Sequence, residues 1–126
     1  MDEVSLRMAL GRDVVDAIVA VNLCHIAPMP ATLGLLALSG IALRDGGRLC
    51  IYGPFLVNGQ PTTPSNANFD ENLRAQNPSW GLRDVGELEE AAAQHQLVRS
   101  ALDPMPSNNF FFVLEKKASA GQVPAQ

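Results

Sequence analysis

The apolar residues of this chain fall into short blocks that predict alternating strands and helices. Asp13 to Asn22 is a nearly continuous apolar run rich in β-branched residues, which is typical of a parallel strand buried on both faces, so we expect a central strand there. Ala31 to Leu43 is long, apolar and compatible with a helix. Pro30 suits the first turn of that helix, and Asp45-Gly46-Gly47 offers the glycines that favour a helix end.

The pattern then returns to a strand. Arg48 to Tyr52 is apolar again, so residues 13–55 are predicted to form one strand, helix, strand unit with parallel strands and a right-handed crossover. Further on, Asp84 followed by Glu87 resembles a capping box in front of an amphipathic helix that reaches about Gln96. The alternation predicts an α/β protein.

The last part of the chain predicts two more strands. Leu97 to Leu102 and Phe110 to Leu114 are separated by a polar, proline-containing connection of a length that suits an antiparallel pair. The predicted fold class is therefore α/β, with a sheet of about four strands of which the last is antiparallel. Residues 1–117 are expected to form one partial domain, and the small, polar stretch 118–126 is expected to be disordered.

Residues 53–84, between the second strand and the amphipathic helix, form a segment that we call the excursion. Proline and glycine mark turns in it, while polar groups and one indole ring are unusually dense, which is typical of a site-forming loop. Its polar and aromatic candidates are Asn66, Asp70, Arg74, Trp80, Arg83 and Asp84. The alternative is a solvated connection whose charges pair locally, as Asp70 and Arg74 would at a spacing of four residues.

The amino-acid composition argues against nucleic-acid-binding and membrane proteins. The 126 residues are 47% hydrophobic and only 17% charged, so we expect another molecule to cover part of the surface. The net charge of −4 argues against sequence-independent binding of nucleic acid. No apolar stretch approaches the roughly 20 residues that span a bilayer, and no export signal is visible. Cys24 and Cys50 fit reduced thiols, so we expect a cytoplasmic protein without membrane contact.

Candidate chemistry gathers where the first two strands end, because ligands of open α/β sheets bind outside the carboxyl ends of the strands. The residues at these two ends are Asn22, Leu23, Cys24 and His25, and Tyr52, Gly53, Pro54 and Phe55. Asn22 and His25 can orient a ligand through an amide and an imidazole; the alternative is a polar strand end with the imidazole bonded to a carbonyl. A Cys24–His25 dyad is disfavoured because neighbours on an extended strand face opposite ways. No spacing of histidines and cysteines indicates a metal site.

Six segments, in this order along residues 13–117, together resemble the methyltransferase-like protein 26 family. They are Asn22-Leu23-Cys24-His25-Ile26-Ala27-Pro28; the glycines 34, 40 and 46–47; Tyr52-Gly53-Pro54-Phe55; Ser65-Asn66 with Phe69-Asp70 and Leu73-Arg74; Asn77-Pro78 with Trp80-Gly81-Leu82-Arg83-Asp84; and Met105-Pro106-Ser107-Asn108-Asn109. The resemblance implies a class I S-adenosylmethionine-dependent methyltransferase with a seven-stranded Rossmann-like sheet, whose last, antiparallel strand inserts beside the sixth. This chain is similar to the C-terminal part of that fold.

The resemblance also implies roles for residues. Asn22, Leu23 and His25 would border the methionine moiety of S-adenosylmethionine. The implied substrate pocket consists of Tyr52, Gly53, Pro54, Phe55, Asn66, Asp70, Arg74, Trp80, Arg83, Asn108 and Asn109. The Gly-rich turn and the acidic residue that hold the adenosine in such enzymes have no counterpart before Asp13, so we expect this chain alone to bind the cofactor very weakly or not at all.

Three interpretations follow. We favour part of a methyltransferase that acts on a small-molecule or protein methyl acceptor and does not catalyse alone. The second is a non-catalytic binding or assembly module derived from a methyltransferase, and the third is a small α/β hydrolase that uses Cys24. Because the strand at Val14 to Val21 would lack a neighbour, we also expect self-association through its open edge, aided by an apolar stripe of Leu33, Ala37 and Ile41 on the first helix.

Overall fold

The computed structural model describes residues 14–118 as an α/β arrangement. Its strands are β1 (Val15–Val21), β2 (Leu43–Gly53), β3 (Phe55–Val57), β4 (Gln60–Pro61), β5 (Arg83–Asp84), β6 (Leu97–Met105) and β7 (Asn109–Lys116). Its α-helices are α1 (Met29–Ala42), α2 (Pro64–Gln76) and α3 (Val85–Ala93), and the 3-10 turns are Cys24–Ile26 and Pro106–Asn108. The predictions for residues 1–13 and 119–126 lie outside the described residues.

The main sheet has the strand order β1-β2-β7-β6. β1 and β2 are parallel, and β7 is antiparallel to both β2 and β6, between which it lies. The predicted fold class, an α/β sheet of four strands with the last one antiparallel, is confirmed. A second, three-stranded sheet of order β4-β3-β5 was not predicted; it ties both ends of the excursion together.

The hydrophobic core lies on one face of the main sheet. Leu49 and Ile51 of β2 and Leu114 of β7 point toward Leu36 of α1 and Leu88 of α3, and all five are almost completely buried. The rings of Phe55 and Phe112 meet edge to face with their centroids 5.7 Å apart, a favourable geometry for aromatic pairs. Among residues 14–118, no helix is both long enough and apolar enough to cross a bilayer.

The prediction that β1 is central and buried on both faces was wrong for the described part of the chain. β1 is an edge strand of the sheet formed by residues 14–118. Val19 is 64% exposed and Val21 58% exposed, because both helices of the core cover the other face. In the predicted apolar stripe of α1, only Leu33 is clearly exposed; Ala37 and Ile41 are half-buried.

The expected glycine stop of the first helix was also wrong. α1 ends at Ala42, and the backbone N–H of Leu43 donates to the carbonyl of Ser39. Gly46 and Gly47 instead belong to β2, where residues 44–47 lie opposite Asp16 alone and the pairing register shifts. Gly46 has φ +83°, which glycine adopts without steric cost, and this allows the strand to bulge.

The excursion contains helix α2, which the sequence interpretation had not assigned. Its start follows ordinary capping chemistry: the Thr63 hydroxyl accepts a hydrogen bond from the backbone N–H of Asn66 at 3.0 Å, and Pro64 occupies the first helical position. At the other end of the chain, β6 continues to Met105 rather than Leu102. The remaining connection is short because Ser107 and Asn108 adopt left-handed backbone angles.

Two glycines of α1 provide a matched test of the packing. A Cβ at Gly40 would lie 2.7 Å from Cβ of His95, which follows α3, whereas a Cβ at Gly34 would have no atom within 4 Å. We expect Gly40→Ala to lower the free energy of unfolding by about 1–3 kcal/mol through overpacking. Gly34→Ala should raise it by up to about 1 kcal/mol, because alanine favours helix. Urea denaturation measures both, and a neutral Gly40→Ala would contradict the close contact of α1 with His95.

Candidate functional site

The candidate site lies at the rim where β1 and β2 end side by side. The backbone N–H of Asn22 donates to the carbonyl of Tyr52 at 2.8 Å, which extends the parallel pairing by one residue. Asn22 then adopts φ +53°, a left-handed conformation that asparagine tolerates better than most residues. The chain therefore leaves the sheet sharply and enters the 3-10 turn at Cys24–Ile26.

Gly53 brings the two strand ends into contact. A Cβ placed on Gly53 would lie 3.5 Å from Oδ1 of Asn22 and 3.7 Å from Nδ1 and Cε1 of His25. The amide, the imidazole and the bare backbone of the glycine thus face one another at the carboxyl ends of two parallel strands. This is the position at which open α/β sheets bind ligands.

The His25 side chain is enclosed by its neighbours. It is only 6% exposed, and its ring meets that of Phe69 on α2 with the centroids 5.6 Å apart. Within residues 14–118 the imidazole makes no hydrogen bond to a protein group. Burial lowers the pKa of His25 below its ordinary value, so the ring is neutral at pH 7 and can both donate and accept a hydrogen bond.

Arg83 holds the turn after β1 in place. Its Nε donates to the carbonyl of Cys24 at 3.2 Å, and its Nη2 donates to the carbonyls of Ala27 and Ser79, each at 2.8 Å. The fixed fork of a guanidinium suits three converging carbonyls. The predicted substrate-pocket residue Arg83 therefore uses its charge to clamp backbone carbonyls of two segments.

Asp70 and Gly81 make further hydrogen bonds around the Arg83 side chain's segment of the excursion. Asp70 accepts from the backbone N–H of Leu82 at 2.8 Å and from Nε of Arg74 at 3.1 Å, so the predicted pair at a spacing of four residues forms on α2. The N–H of Gly81 donates to the carbonyl of His25 at 3.1 Å. Gly81 has φ +147°, and a Cβ there would lie 2.9 Å from Cζ of Arg74, so only glycine fits.

The remaining polar candidates form a second cluster near the end of β2. Nδ2 of Asn66 donates to the carbonyl of Asn108 at 3.1 Å, and Nδ2 of Asn109 donates to the hydroxyl of Tyr52 at 3.3 Å. Asn66 is 5% exposed although it carries a polar amide. These bonds join α2 and β2 to the turn between β6 and β7.

Other predicted site residues have different surroundings. Phe55 is 1% exposed and packs in the core against Phe112, so its ring lies away from the rim, because β3 directs it toward the helices. Pro54 is buried between β2 and β3, whereas Leu23 is 38% exposed. Trp80 is half-buried and its backbone N–H donates to the carbonyl of Asn77 at 2.9 Å.

Cys24 does not have the properties of a nucleophile. Its side chain is 3% exposed, and burial raises the pKa of the thiol, although the Thr32 hydroxyl and Arg83 act in the opposite direction. The basis for rejecting a Cys24–His25 dyad was wrong in detail, since both residues lie in a 3-10 turn and are not on an extended strand. The hydrolase interpretation fails because the Cys24 thiol is buried, and not because of strand geometry.

Two residues important for the rim were absent from the predicted site. Phe69 encloses His25, and Gly81 allows the excursion to approach the turn after β1. The glycine between Trp80 and Leu82 was a usable signal, because an isolated glycine in a dense polar segment often marks a close backbone approach. Nothing in the local sequence indicates that Phe69 reaches His25.

Residues 2–116 match the model of a family described as "Protein of unknown function (DUF938)". The chain belongs to the DUF938 family. Comparison with solved structures identifies the fold of this DUF938 chain. One similar structure is that of an O-methyltransferase family 2 protein from Planctomyces limnophilus, solved in complex with apigenin. It is 21% identical to this chain, with a TM-score of 0.72, and the match covers 82% of this chain and 31% of the Planctomyces chain.

Two further solved structures share the fold over a similar part of this chain. Human N-acetylserotonin methyltransferase in complex with S-adenosylmethionine is 11% identical, covers 82% of this chain and 30% of its own, and gives a TM-score of 0.71. CalO1, a methyltransferase of calicheamicin biosynthesis with bound S-adenosylhomocysteine, is 16% identical, covers 83% and 32%, and gives 0.67. The DUF938 chain therefore has part of the fold of class I S-adenosylmethionine-dependent methyltransferases, and it spans about a third of the length of these proteins.

The clamp predicts a strong effect of substitution at Arg83. We expect Arg83→Lys to lower the free energy of unfolding by about 2 kcal/mol, because an ammonium cannot reach three carbonyls at once and leaves some without donors. The control is Arg99→Lys, whose parent residue forms a partly exposed ion pair with Glu89. This control should change stability by no more than about 0.5 kcal/mol. If Arg83→Lys and Arg99→Lys lowered the free energy of unfolding equally in denaturant titrations, the role assigned to Arg83 would be contradicted.

The enclosed His25 predicts a defined dependence of stability on pH. Because the folded-state pKa of His25 is lowered, the unfolded chain takes up the proton more readily. The free energy of unfolding should be highest above pH 6.5, the ordinary histidine value, and should fall as the pH drops below it. His25→Gln should flatten this slope between about pH 7 and 5. Chemical denaturation at a series of pH values tests this, and an unchanged slope in His25→Gln would contradict the assignment.

Proposed function

We propose that this DUF938 chain contributes the substrate-side part of an S-adenosylmethionine-dependent methyl-transfer site, as its resemblance to the methyltransferase-like protein 26 family implies. The observation that carries the proposal is that the side chains of Asn22 and His25 lie beside Gly53 at the carboxyl ends of two parallel strands. The fold shared with methyltransferases supports it, although fold alone does not define an activity.

The residues at the rim fit the methionine end of S-adenosylmethionine. A neutral imidazole and an amide can bind an amino and a carboxylate group by hydrogen bonds, and both side chains lie beside the buried Gly53. Leu23 is the third residue of this proposed cofactor subsite and supplies exposed apolar surface next to it. When bound, the cofactor supplies a methyl group activated by a sulfonium sulfur.

The excursion supplies the proposed acceptor side. In the proposed reaction, a nucleophile of the acceptor would take the methyl group from the sulfur, and S-adenosylhomocysteine would be released. The protein contributes mainly alignment and exclusion of water. We propose that Tyr52, Asn109 and Trp80 face the acceptor, and that Asn66, Asn108, Asp70, Arg74 and Arg83 keep the surrounding segments in position through the hydrogen bonds described above. Phe55 supports the rim from the core.

Activity of this chain alone is not part of the proposal. The chain spans about a third of the length of the methyltransferases it resembles, and the Gly-rich turn that such proteins use for the adenosine is absent from its sequence. We propose a cytoplasmic location, which the free thiols of Cys24 and Cys50 support. We propose a small molecule or a protein as the methyl acceptor, and the net charge of −4 disfavours nucleic acid.

A second candidate is a binding or assembly module that retains this fold without catalysis. The exposed valines of β1, in particular Val19 and Val21, favour it, because a strand with such side chains is suited to contact another polypeptide. The two candidates differ in whether the rim binds the cofactor.

The proposal predicts weak but localised binding of the cofactor product. In a titration of the isotope-labelled 126-residue chain with S-adenosylhomocysteine, we expect amide chemical shifts to change at Asn22, Leu23, His25 and Gly53. Saturation should require about millimolar ligand, which corresponds to a binding free energy near −4 kcal/mol. Amides around the Arg99–Glu89 ion pair, at the far edge of the sheet, serve as the internal control.

Two outcomes would overturn this prediction. A dissociation constant in the low micromolar range by calorimetry, about −8 kcal/mol, would show that this part of the fold suffices for binding. No change at the rim at about 5 mM ligand would remove Asn22, Leu23 and His25 from the cofactor subsite and favour the binding module.

A further inference from the structure

The turn between β3 and β4 contains a chemically labile peptide unit. Asn58 is the one asparagine of the sequence that precedes a glycine. Because glycine has no side chain to hinder the approach, its backbone nitrogen can readily attack the side-chain amide of the preceding asparagine. Asn58 and Gly59 are both exposed, so burial does not protect them from water.

The reaction of such a peptide unit is deamidation. The backbone nitrogen of Gly59 loses its proton and bonds to Cγ of Asn58, the bond from Cγ to the side-chain nitrogen breaks, and ammonia leaves with that proton. Water then opens the resulting succinimide ring, which leaves an aspartate or an isoaspartate whose main chain is longer by a methylene group. The first step requires that the Gly59 nitrogen can lose its proton and move toward Cγ.

The structure engages the N–H on which this step depends. The backbone N–H of Gly59 donates to Oδ1 of Asp84 at 2.6 Å, a short hydrogen bond to a charged acceptor. The carboxylate is itself held in place, because its Oδ2 accepts from the backbone N–H of Glu87 at 3.1 Å. Asp84 also pairs with Leu56 between β5 and β3. The acceptor therefore cannot follow a movement of the Gly59 peptide.

We propose that Asn58-Gly59 is a deamidation site and that the Asp84 carboxylate restrains it in the folded protein. Loss of the Gly59 proton would place an amide anion beside the negative charge of Asp84, which Coulomb repulsion disfavours. The hairpin acts in the same direction. Asn58 has φ +54° and Gly59 φ +74°, as in a tight two-residue turn, and the pairing of Val57 with Gln60 holds these angles. The inference goes beyond the proposed function, because it requires neither cofactor nor methyl transfer.

Deamidation would disturb the contact of this hairpin with β5. An isoaspartate at position 58 lengthens the two-residue loop, and either product adds a negative charge near Asp84, so the hydrogen bond from Gly59 is weakened. Arg83 precedes Asp84 in β5 and donates to the carbonyls of the turn after β1. The labile turn is thus connected through two adjacent residues to the candidate site.

The test follows deamidation of Asn58 by peptide mass spectrometry in the 126-residue chain, kept in mildly alkaline buffer. Asp84→Asn removes the negative charge, and its amide offers one acceptor oxygen where the carboxylate offers two. We expect Asn58 to deamidate faster by about tenfold or more in this variant, since a hydrogen bond to a charged group is worth at least that factor. The original chain in guanidinium chloride gives the unrestrained rate, which should exceed that of the folded original chain.

Thr63→Ala is the matched control for a general loosening of the fold. Thr63 caps α2 as Asp84 caps α3, but its hydroxyl accepts from the N–H of Asn66 and not from the hairpin. Loss of either cap should lower stability to a similar extent. We therefore expect the rate at Asn58 to stay close to that of the original chain in Thr63→Ala.

Each of the alternative outcomes would overturn the proposal. An unchanged rate in Asp84→Asn would show that the carboxylate does not restrain the peptide, and a slower rate would make it a base that assists the reaction. Equal acceleration in Thr63→Ala would assign the effect to the loss of a helix cap. Equal rates in the folded and the denatured original chain would show that the hairpin gives no protection.

Discussion

The candidate site depends on the parallel pairing of β1 with β2. The two strands are in register from Ala17 opposite Arg48 to Val21 opposite Tyr52, and the N–H of Asn22 continues the pairing. Parallel strands end at the same rim, so residues that lie about thirty positions apart in sequence come into contact there. The position of His25 beside Gly53 follows from this register, and a slip by one residue would place a different residue of β2 beside His25.

The excursion packs against the rim because it donates hydrogen bonds to backbone carbonyls of the turn after β1. The turn after β1 leaves the carbonyls of Cys24, His25 and Ala27 without sheet partners, and buried carbonyls need donors. Arg83 supplies donors to Cys24 and Ala27, and the N–H of Gly81 supplies one to His25. As a result, the backbone of the turn is fixed by hydrogen bonds that do not use the imidazole of His25.

The two faces of the sheet explain the unusual composition. One face is closed by α1 and α3 around Leu49 and Ile51, whereas the valines of β1 remain exposed on the other. Charged residues amount to 17% of the chain, which is low because part of its surface has the character of an interior. The chain has about a third of the methyltransferase fold, and an exposed apolar strand is expected of one part of a fold.

The sequence by itself determined the α/β class, the four-stranded sheet and its antiparallel end, because the period and length of apolar blocks reflect local backbone geometry. It also determined the capping of α3 by Asp84, which accepts from the N–H of Glu87 at 3.1 Å. The tertiary structure decided which polar residues of the excursion face the rim. Arg83, Asp70 and Asn66 bond backbone groups far away in sequence, and no local pattern encodes such partners. Burial of β1 was likewise undetermined by its apolar pattern, since exposure depends on what packs on a strand and not on the strand itself.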